Sequence, residues 1–297
     1  MEIAEIEVST AKSLTLPFQE VQVMPIGDVQ IGSGDVDIER LRKQIEWANE
    51  QTASGGPPVY FVGMGDYIDL LSPSNRAAWR ATRLYDSAQQ AMNDKAEEYV
   101  RQFLEAVEGT AGRWLGLLHG HHYFAFEDGT TSDTRIAQAL KAPYLGTCAF
   151  IRLKFDNRVP GATRKSTHRM TCTLWVHHGE GNGLMPHTPL NKLYHVSQSF
   201  EADVYLIGHQ TKKPAVKIPR LELNSAGQLI AKTKIMAGTG GFSKGYNVGS
   251  RATGNPNLPQ GGYVEQGMMN PVSLGSPLIK IRPVEGPPAR LDLNIEI

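Results

Sequence analysis

Short apolar runs alternate with longer amphipathic stretches along this chain, and the alternation predicts an α/β fold. Ile38, Leu41, Ile45 and Ala48 recur at helical spacing and define the apolar face of the first helix. The predicted helices cover about 36–52, 72–107 with a break near Asp86, 133–140 and 190–199. Apolar runs predict strands at 21–26, 59–62, 114–118, 144–155, 170–176 and 203–207, and later strands near 214–222, 228–236, 277–282 and 290–296.

No internal repeat and no clear linker divides the chain, so a single domain over residues 1–297 is expected. Residues 1–20 form an N-terminal arm without a strong period, with room for one short strand. Residues 158–167 are predicted to be a hairpin connection. The stretch 238–275 is rich in Gly, Pro, Asn and Ser and is too long for a simple turn, so it is either a disordered insert or a functional loop.

The composition is typical of a soluble globular protein. Of the 297 residues, 40% are hydrophobic and 20% are charged, and 30 basic residues balance 30 acidic ones. This balance excludes a global basic field for nucleic acid but allows a local patch. No apolar run approaches membrane-spanning length and the acidic first residues do not resemble a signal peptide, so we expect a cytoplasmic protein without membrane contact. Cys148 and Cys172 both lie in apolar runs, which suits reduced thiols better than a disulfide.

The apolar run at 114–118 ends in a corner that carries two adjacent histidines. Gly120 lets the chain turn sharply, and His121 and His122 follow it. Side chains just beyond the carboxyl end of a buried strand in an α/β protein point into the crevice where ligands bind. Histidine is the commonest metal ligand and a frequent general acid near neutral pH. Alternatively, His121 and His122 are solvated loop residues without a chemical role. A functional site is indicated only if other strand ends supply further metal ligands or acid–base groups.

Four other predicted strand ends carry residues of the same chemical kind. They are Asp28 with Gln30, Asp66 with Asp69, His177 with His178, and His209. Each follows a short apolar run, and strands that share a sheet would bring such ends together. Carboxylates and imidazoles that converge on one crevice suit a transition metal such as Mn, Fe or Zn. The sequence therefore predicts a metal site at these strand ends.

In order and spacing, these motifs resemble those of the calcineurin-like metallophosphoesterase superfamily. The family motifs run Asp-x-His, Gly-Asp-x-x-Asp, Gly-Asn-His-(Asp/Glu), a lone His often followed by Gly, and Gly-His-x-His. The corresponding segments here are residues 28–30, 65–69, 120–123, 178–179 and 208–211. The resemblance spans about residues 21–211 and implies an α/β sandwich of two mixed sheets flanked by helices, which the later strands complete.

The departures from the family pattern concern the metal ligands. In one family site, Gln30 and Thr211 replace the two expected histidines, which leaves a neutral amide oxygen and a weak hydroxyl. The other site would use Asp66, His121, His178 and His209, with His121 in place of Asn. The resemblance thus implies one tightly held Mn, Fe or Zn and a second ion that is weak or absent. The implied ligands are Asp28, Gln30, Asp66, His121, His178 and His209, with His177 as the alternative to His178.

The resemblance also implies roles beyond metal binding. His122 takes the position of the family histidine that assists the leaving group or orients the nucleophile, so His122 and Asp66 are the implied catalytic residues. The acidic residue that usually follows this histidine is Tyr123 here, so a different group would have to orient the imidazole. Asp69 is expected to support its loop by hydrogen bonds rather than to touch metal. His119 is expected to have a local hydrogen-bond partner.

Basic residues near the motifs are candidates for binding a substrate phosphate. Arg76 and Arg80 share one helical face after the second motif, where a solvated face is the simpler interpretation. Lys212 and Lys213 follow the fifth motif and lie near the expected crevice. His187 and His195 lie between motifs and are expected at the surface, although either could replace a missing ligand.

The resemblance implies a metal-dependent phosphoester hydrolase. A phosphodiesterase or nuclease-like activity, on a nucleotide or nucleic acid for example, is favoured over a phosphomonoesterase. Protein phosphatase activity is disfavoured because the acidic residue of the third motif is missing. The alternative is a metallophosphoesterase-like binding or structural protein with one metal and little or no turnover, which the altered first and fifth motifs make credible. The sequence identifies no protein partner.

Overall fold

Two six-stranded mixed sheets with helices outside them form the core of the computed structural model. The structure describes residues 12–71, 75–78, 85–156, 169–181, 183, 185–223, 227–246, 263–266, 268–286 and 289–297. This arrangement confirms the α/β fold of two mixed sheets flanked by helices that was expected from the motifs.

The first sheet has four parallel strands at its centre and one edge. They are β2 (Val21–Ile26), β3 (Val59–Gly63), β4 (Trp114–Leu118) and β5 (Tyr144–Gly146), in that order. β11 (Leu278–Val284) pairs antiparallel with β2, and β12 (Arg290–Glu296) forms the other edge. Because β2, β3 and β4 are parallel, the segments that follow them leave the sheet at the same edge.

The second sheet supplies the two other motif strands. Its order is β1 (Lys12–Leu16), β6 (Cys148–Asp156), β7 (Arg169–His177), β8 (Val204–Ile207), β10 (Leu229–Gly238) and β9 (Ala215–Leu223). β7, β8 and β10 are mutually parallel, whereas β6 and β9 run antiparallel to their neighbours β7 and β10. The residues that follow β7 and β8 therefore leave this sheet side by side.

Three apolar clusters hold the layers together. Val23, Val62 and Leu174 belong to the cluster between the two sheets, where burial of apolar surface drives their packing. Phe61, Phe103 and Trp114 lie in the cluster outside the first sheet, and Trp175, Leu193 and Tyr205 in the one outside the second. The outer helices are α1 (Ile38–Ala53), α2 (Asp86–Ala106) and α3 (Ser132–Ala139) beside the first sheet and α4 (Thr188–Val196) beside the second.

One predicted strand divides into two. The apolar run predicted as a single strand at 144–155 crosses from the first sheet to the second, as β5 and β6. Gly146, at the end of β5, has a φ of 73°, and this left-handed backbone, which glycine adopts without strain, allows the change of direction. The prediction of one strand was therefore wrong, because an apolar run does not reveal which sheet each half joins.

The other elements lie within a few residues of their predicted bounds. The predicted break near Asp86 is present, since α2 begins there after an extended Tyr85, with a helical turn at 75–78 before it. In the N-terminal arm, β1 pairs in parallel with β6. The predicted hairpin at 158–167 lies outside the described residues. The described parts of 238–275 contain the end of β10 and a short helix, α5 (Tyr263–Gln266).

Cys148 and Cys172 are free. Among the described residues, no helix is both long and apolar enough to span a bilayer.

Candidate metal centre

Side chains from both sheets meet where the motif strands end. Asp66, His121, His178 and His209 each offer one potential ligand atom, and these atoms all lie within 4.8 Å of one another. Nδ1 of His121 is 3.1 Å from Nδ1 of His209, and Nε2 of His178 is 3.4 Å from Oδ2 of Asp66. We call these four residues the ligand cluster. The motifs of the sequence place them at four different strand ends, and the fold brings them together.

The backbone around the cluster is unusual. Five motif residues adopt a left-handed conformation with positive φ: Asp28, Gln30, Asp66, His209 and Thr211. They account for five of the eight non-glycine residues with positive φ in the part of the chain that the structure describes. A β-branched residue such as Thr211 pays a steric cost in this conformation. Backbone strain of this kind is concentrated at functional sites, so its location supports a functional role for these loops.

His178 is positioned to offer its Nε2 as a ligand. Its Nδ1 lies 2.6 Å from the carbonyl oxygen of Met64, and because a carbonyl only accepts, Nδ1 carries the proton and donates it. Nε2 is buried and makes no hydrogen bond of acceptable geometry within the described residues. The alternative, His177, is turned elsewhere, since its ring stacks on Trp175 and its Nδ1 accepts from the Gly179 amide. The structure therefore brings His178 into the cluster and leaves His177 out.

Asp66 connects the cluster to the histidine corner. Its Oδ1 accepts hydrogen bonds from the backbone amides of His121, at 2.5 Å, and His122, at 2.9 Å. The other oxygen, Oδ2, faces His178. The corner is also fixed from behind, because the Gly120 amide donates to the buried carboxylate of Asp133. This role of Asp133 could not be predicted, since the residue lies in the first turn of α3 and belongs to none of the motifs.

The charges around the cluster favour a cation. Burial raises the pKa of Asp28 to about 7, and its Oδ1 has no hydrogen-bond partner among the described residues. Burial acts to lower the pKa of His178, but pairing with Asp66 and the charge of Asp28 raise it to about 9. Burial and the neighbouring charge of His178 lower the pKa of His209 to about 4. A proton is thus held beside two buried carboxylates, where a metal ion would also be stabilised.

The ligand cluster fits a transition metal. Three imidazole nitrogens and one carboxylate favour Zn, Fe or Mn over Mg, which prefers oxygen ligands. A second ion would depend on Asp28, Gln30 and Thr211. Asp28 already accepts from the His209 amide through Oδ2, at 2.9 Å, and the other two are neutral. Only the ligand cluster is therefore a complete set of charged and imidazole donors among the described residues.

His122 has an acidic partner that the sequence did not identify. Its Nδ1 donates to Oδ1 of Asp69 at 2.9 Å, and this hydrogen bond raises the pKa of the imidazole. The expectation that Asp69 makes hydrogen bonds rather than belonging to the ligand cluster agrees with this contact. The acidic partner of His122 is therefore Asp69 and not the residue that follows it, Tyr123. The contact between His122 and Asp69 could not be predicted from the sequence, because the two residues are 53 positions apart.

A cleft of about 530 Å³ opens beside the cluster. Its polar lining includes Asp66, Asp69, His122 and His209, together with Gln30 and Thr211. Its apolar lining includes Val264, Met268, Met269 and Val272. A cleft of this size accommodates a small organic ligand.

The candidate substrate-binding cations make contacts of their own. Arg76 Nη1 donates to the carbonyl oxygens of His121, at 2.9 Å, and Tyr123, at 2.8 Å, and its guanidinium lies over the Tyr123 ring. These contacts clamp the corner from behind instead of directing the cation into the cleft. Lys212 lines the cleft and donates to the carbonyls of Gly183 and Met185. Lys213 donates to Leu274 O at 2.9 Å. Arg80 lies outside the described residues.

The other described histidines do not belong to the ligand cluster. His119 Nδ1 is hydrogen-bonded to the Tyr144 hydroxyl at 2.7 Å, which is the local partner that was expected. His187 precedes α4 and His195 lies in its last turn, and neither belongs to the cluster. Neither residue therefore replaces a missing ligand in this structure.

Gly120→Ala is expected to destabilise the protein and weaken metal binding. A Cβ at Gly120 would lie 2.1 Å from the backbone nitrogen of Asp66 and 2.3 Å from its Oδ1, so the corner would have to move. We expect a loss of about 1–3 kcal/mol in the free energy of unfolding, measured by denaturant titration, and weaker metal retention. Gly34→Ala is the matched control, because nothing lies within 4 Å of its added Cβ. Equal behaviour of the two variants would contradict this account of the corner.

Comparisons with known proteins give limited information. No protein-family model and no curated protein matches the sequence. Among solved structures, the chain is similar to a conserved uncharacterized protein from Streptococcus pneumoniae TIGR4, described as a predicted phosphoesterase. The two are 10% identical with a TM-score of 0.30, over 88% of this chain and 82% of the other. The function proposed below therefore rests on the residues of this chain.

Proposed function

We propose that this protein is a metal-dependent phosphoester hydrolase that prefers phosphodiesters. The observation that carries the proposal is the ligand cluster of Asp66, His121, His178 and His209, placed at the edge of a cleft beside the His122–Asp69 pair. A metal-binding set next to a hydrogen-bonded imidazole is the arrangement that hydrolysis of a phosphoester requires.

The four residues of the ligand cluster would hold one Mn, Fe or Zn ion. When bound, such an ion supplies Lewis-acid polarisation of a phosphoryl oxygen and lowers the pKa of a water molecule. Asp66 fixes the corner through its Oδ1 while its Oδ2 faces the cluster. Asp28, Gln30 and Thr211 would hold a second ion only weakly.

His122 is the proposed proton donor to the leaving-group oxygen. It lines the cleft, and Asp69 fixes its orientation through Nδ1, so Nε2 is left for the substrate. The raised pKa of His122 keeps a larger fraction of the imidazole protonated near neutral pH. Asp69 therefore acts as a positioning residue for this proton transfer.

The basic residues near the cleft already contact backbone carbonyls, and this favours a phosphodiester substrate over a phosphomonoester. A monoester carries up to two negative charges and gains most from several cationic partners. Lys212, Lys213 and Arg76 already donate to backbone carbonyls. A phosphodiester carries only one charge, so it needs fewer such partners. Cyclic nucleotides and dinucleotides contain such phosphodiesters, as does each linkage of a nucleic acid, and Lys212 is the described Lys or Arg that lines the cleft.

Metal analysis together with turnover tests the proposal. After mild chelation we expect one tightly bound transition metal per chain, because only one full ligand set is present. With Mn²⁺ added, bis(p-nitrophenyl) phosphate should be hydrolysed with a higher kcat/KM than p-nitrophenyl phosphate. Two equally tight ions would contradict the single strong site. Bound metal without turnover of either ester would favour the alternative, a metal-containing binding protein, which the neutral Gln30 and Thr211 make reasonable.

A further inference from the structure

Part of the cleft lining is apolar. Val264, Met268, Met269 and Val272 line the cleft, with the polar Asn270 among them, and Leu70 lines it as well. The first four belong to the Gly/Pro-rich stretch after β10, and Met268 is 86% exposed. We call the five apolar residues the apolar wall. Neither the metal cluster nor the His122–Asp69 pair uses the wall, so the proposed chemistry leaves its purpose unexplained.

Hydrogen bonds attach the wall to the loops of the metal centre. The Met269 amide donates to Val264 O at 3.0 Å, and the Tyr246 hydroxyl donates to Met269 O at 2.8 Å. The neighbouring Gly275 amide donates to Gly241 O at 2.8 Å. One residue further on, the Phe242 amide donates to the carbonyl of Asp28, at 3.0 Å. The segment that carries the wall is thus connected, through backbone hydrogen bonds, to the first motif.

The charge of the cleft argues against a long polyanion. Lys212 is the only Lys or Arg among the described residues that line the cleft, and two loop carbonyls already accept from its Nζ. A nucleic-acid strand is usually bound along a row of cations with aromatic stacking partners. No Phe, Tyr or Trp side chain is present among the cleft residues that the structure describes. A single phosphate with an apolar substituent therefore fits the mixed polar and apolar lining of the cleft better than a polyanion does.

We propose that the apolar wall binds an aryl-sized apolar substituent of a small phosphodiester whose phosphate lies at the ligand cluster. This inference rests on the proposed function for the place of the phosphate, and it adds the class of substrate. Burial of the substituent against Met and Val side chains would favour binding roughly in proportion to its apolar area. Methionine side chains can adapt to substituents of different shape.

Binding of two non-hydrolysable phosphonates tests the wall without any need for turnover. The probes are the monomethyl esters of phenylphosphonate and methylphosphonate, which carry the same single charge and differ in one apolar group. Calorimetry with the Mn²⁺-loaded protein should show the phenyl compound binding about 10-fold tighter or more. Val272→Thr, which keeps the shape but adds a hydroxyl, should reduce this ratio to a few-fold.

A second variant of the apolar wall and a control variant outside the cleft complete the binding test. Met268→Asn removes an apolar side chain at a residue whose φ is 51°, a conformation that Asn tolerates, and it should also reduce the ratio. Leu221→Thr, at an exposed residue of β9 outside the cleft, should leave the ratio unchanged. Equal affinity of the wild type for both phosphonates overturns the inference. Tighter binding of a single-stranded oligothymidylate than of the phenyl compound overturns it as well.

Turnover separates this inference from the proposed function. Phenyl p-nitrophenyl phosphate and methyl p-nitrophenyl phosphate have the same leaving group, so a preference reports on the other substituent. We expect the phenyl ester to have about 10-fold higher kcat/KM, mainly through KM. A phenyl preference in phosphonate binding, without turnover of either ester, would support the wall as a ligand site and contradict hydrolysis. Turnover of both esters at equal kcat/KM, with equal phosphonate binding, would support hydrolysis and overturn the wall.

Discussion

Asp66→Asn is expected to remove the tightly bound metal, and hydrolysis with it. Asp66 supplies the only carboxylate of the ligand cluster, and its Oδ2 lies 3.4 Å from Nε2 of His178. An amide brings no negative charge to balance the cation. Loss of a group that only hydrogen-bonds to a metal ligand already lowers metal affinity by up to about 100-fold, so we expect loss of a ligand to lower it by at least as much. Elemental analysis after mild chelation and a competition titration with a coloured chelator would measure the loss.

The fold should survive this substitution. Asn keeps an oxygen that can accept from the amides of His121 and His122, and it tolerates the left-handed φ of 53° at residue 66. Asp69→Asn is the matched control, because it makes the same chemical change three residues away, outside the ligand cluster. The control should retain its metal. Wild-type metal content in Asp66→Asn would show that the cluster is not the metal site.

The motif residues could be predicted because their signals are local. A buried strand, a sharp turn and a polar side chain lie within a few residues of one another, so the sequence indicated the strand ends, and the resemblance selected Asp66, His121, His178 and His209 among them. The parallel pairing of β2 with β3 and β3 with β4 explains why three of the strand ends meet. The pairing of β7 with β8 explains the other two. The structure adds the physical reason for His178 rather than His177, the hydrogen bond to the distant carbonyl of Met64.

Contacts between distant segments could not be predicted. Asp69 belongs to the second motif and His122 to the third, and neither carries a signal that it binds the other. The contacts of Arg76 were equally hidden, because a basic helical face does not reveal which backbone carbonyls lie within its reach. The Arg76 guanidinium donates to the carbonyls of the corner, whose position only the fold defines. The wall of the cleft was likewise hidden, because a Gly/Pro-rich stretch has no hydrophobic period to read.

Gln30 and Thr211 have the same left-handed backbone conformation as Asp66 and His209. Gln30 and Thr211 stand where the resemblance implies two histidines, and both have a left-handed backbone and line the cleft. Maintaining such strained conformations costs free energy, particularly for the β-branched Thr211. Such conformations beside the ligand cluster support a functional role for the geometry of these two loops.

His122→Gln is expected to lower kcat by about 100- to 10,000-fold, the usual range for loss of a general acid or base. Because His122 lies outside the ligand cluster, metal content should remain at the wild-type level. KM should change little, since the proposed proton transfer occurs in the transition state rather than in the bound substrate. Steady-state kinetics on bis(p-nitrophenyl) phosphate, with metal analysis of the same sample, would measure both effects. Loss of metal in this variant would assign the imidazole to the metal site instead.

Asp69→Asn should have a smaller effect of a different kind, and this difference distinguishes a positioning role from a structural one. Asp69 raises the pKa of His122, and a general acid must be protonated, so activity should fall as pH rises through that pKa. Without the carboxylate the pKa of His122 decreases, and the alkaline limb of the kcat profile should move to lower pH. We expect a loss of roughly 10-fold in kcat at neutral pH, less than in His122→Gln, because the imidazole is still present. An unshifted alkaline limb would mean that Asp69 only supports its loop, and that His122 does not donate the proton.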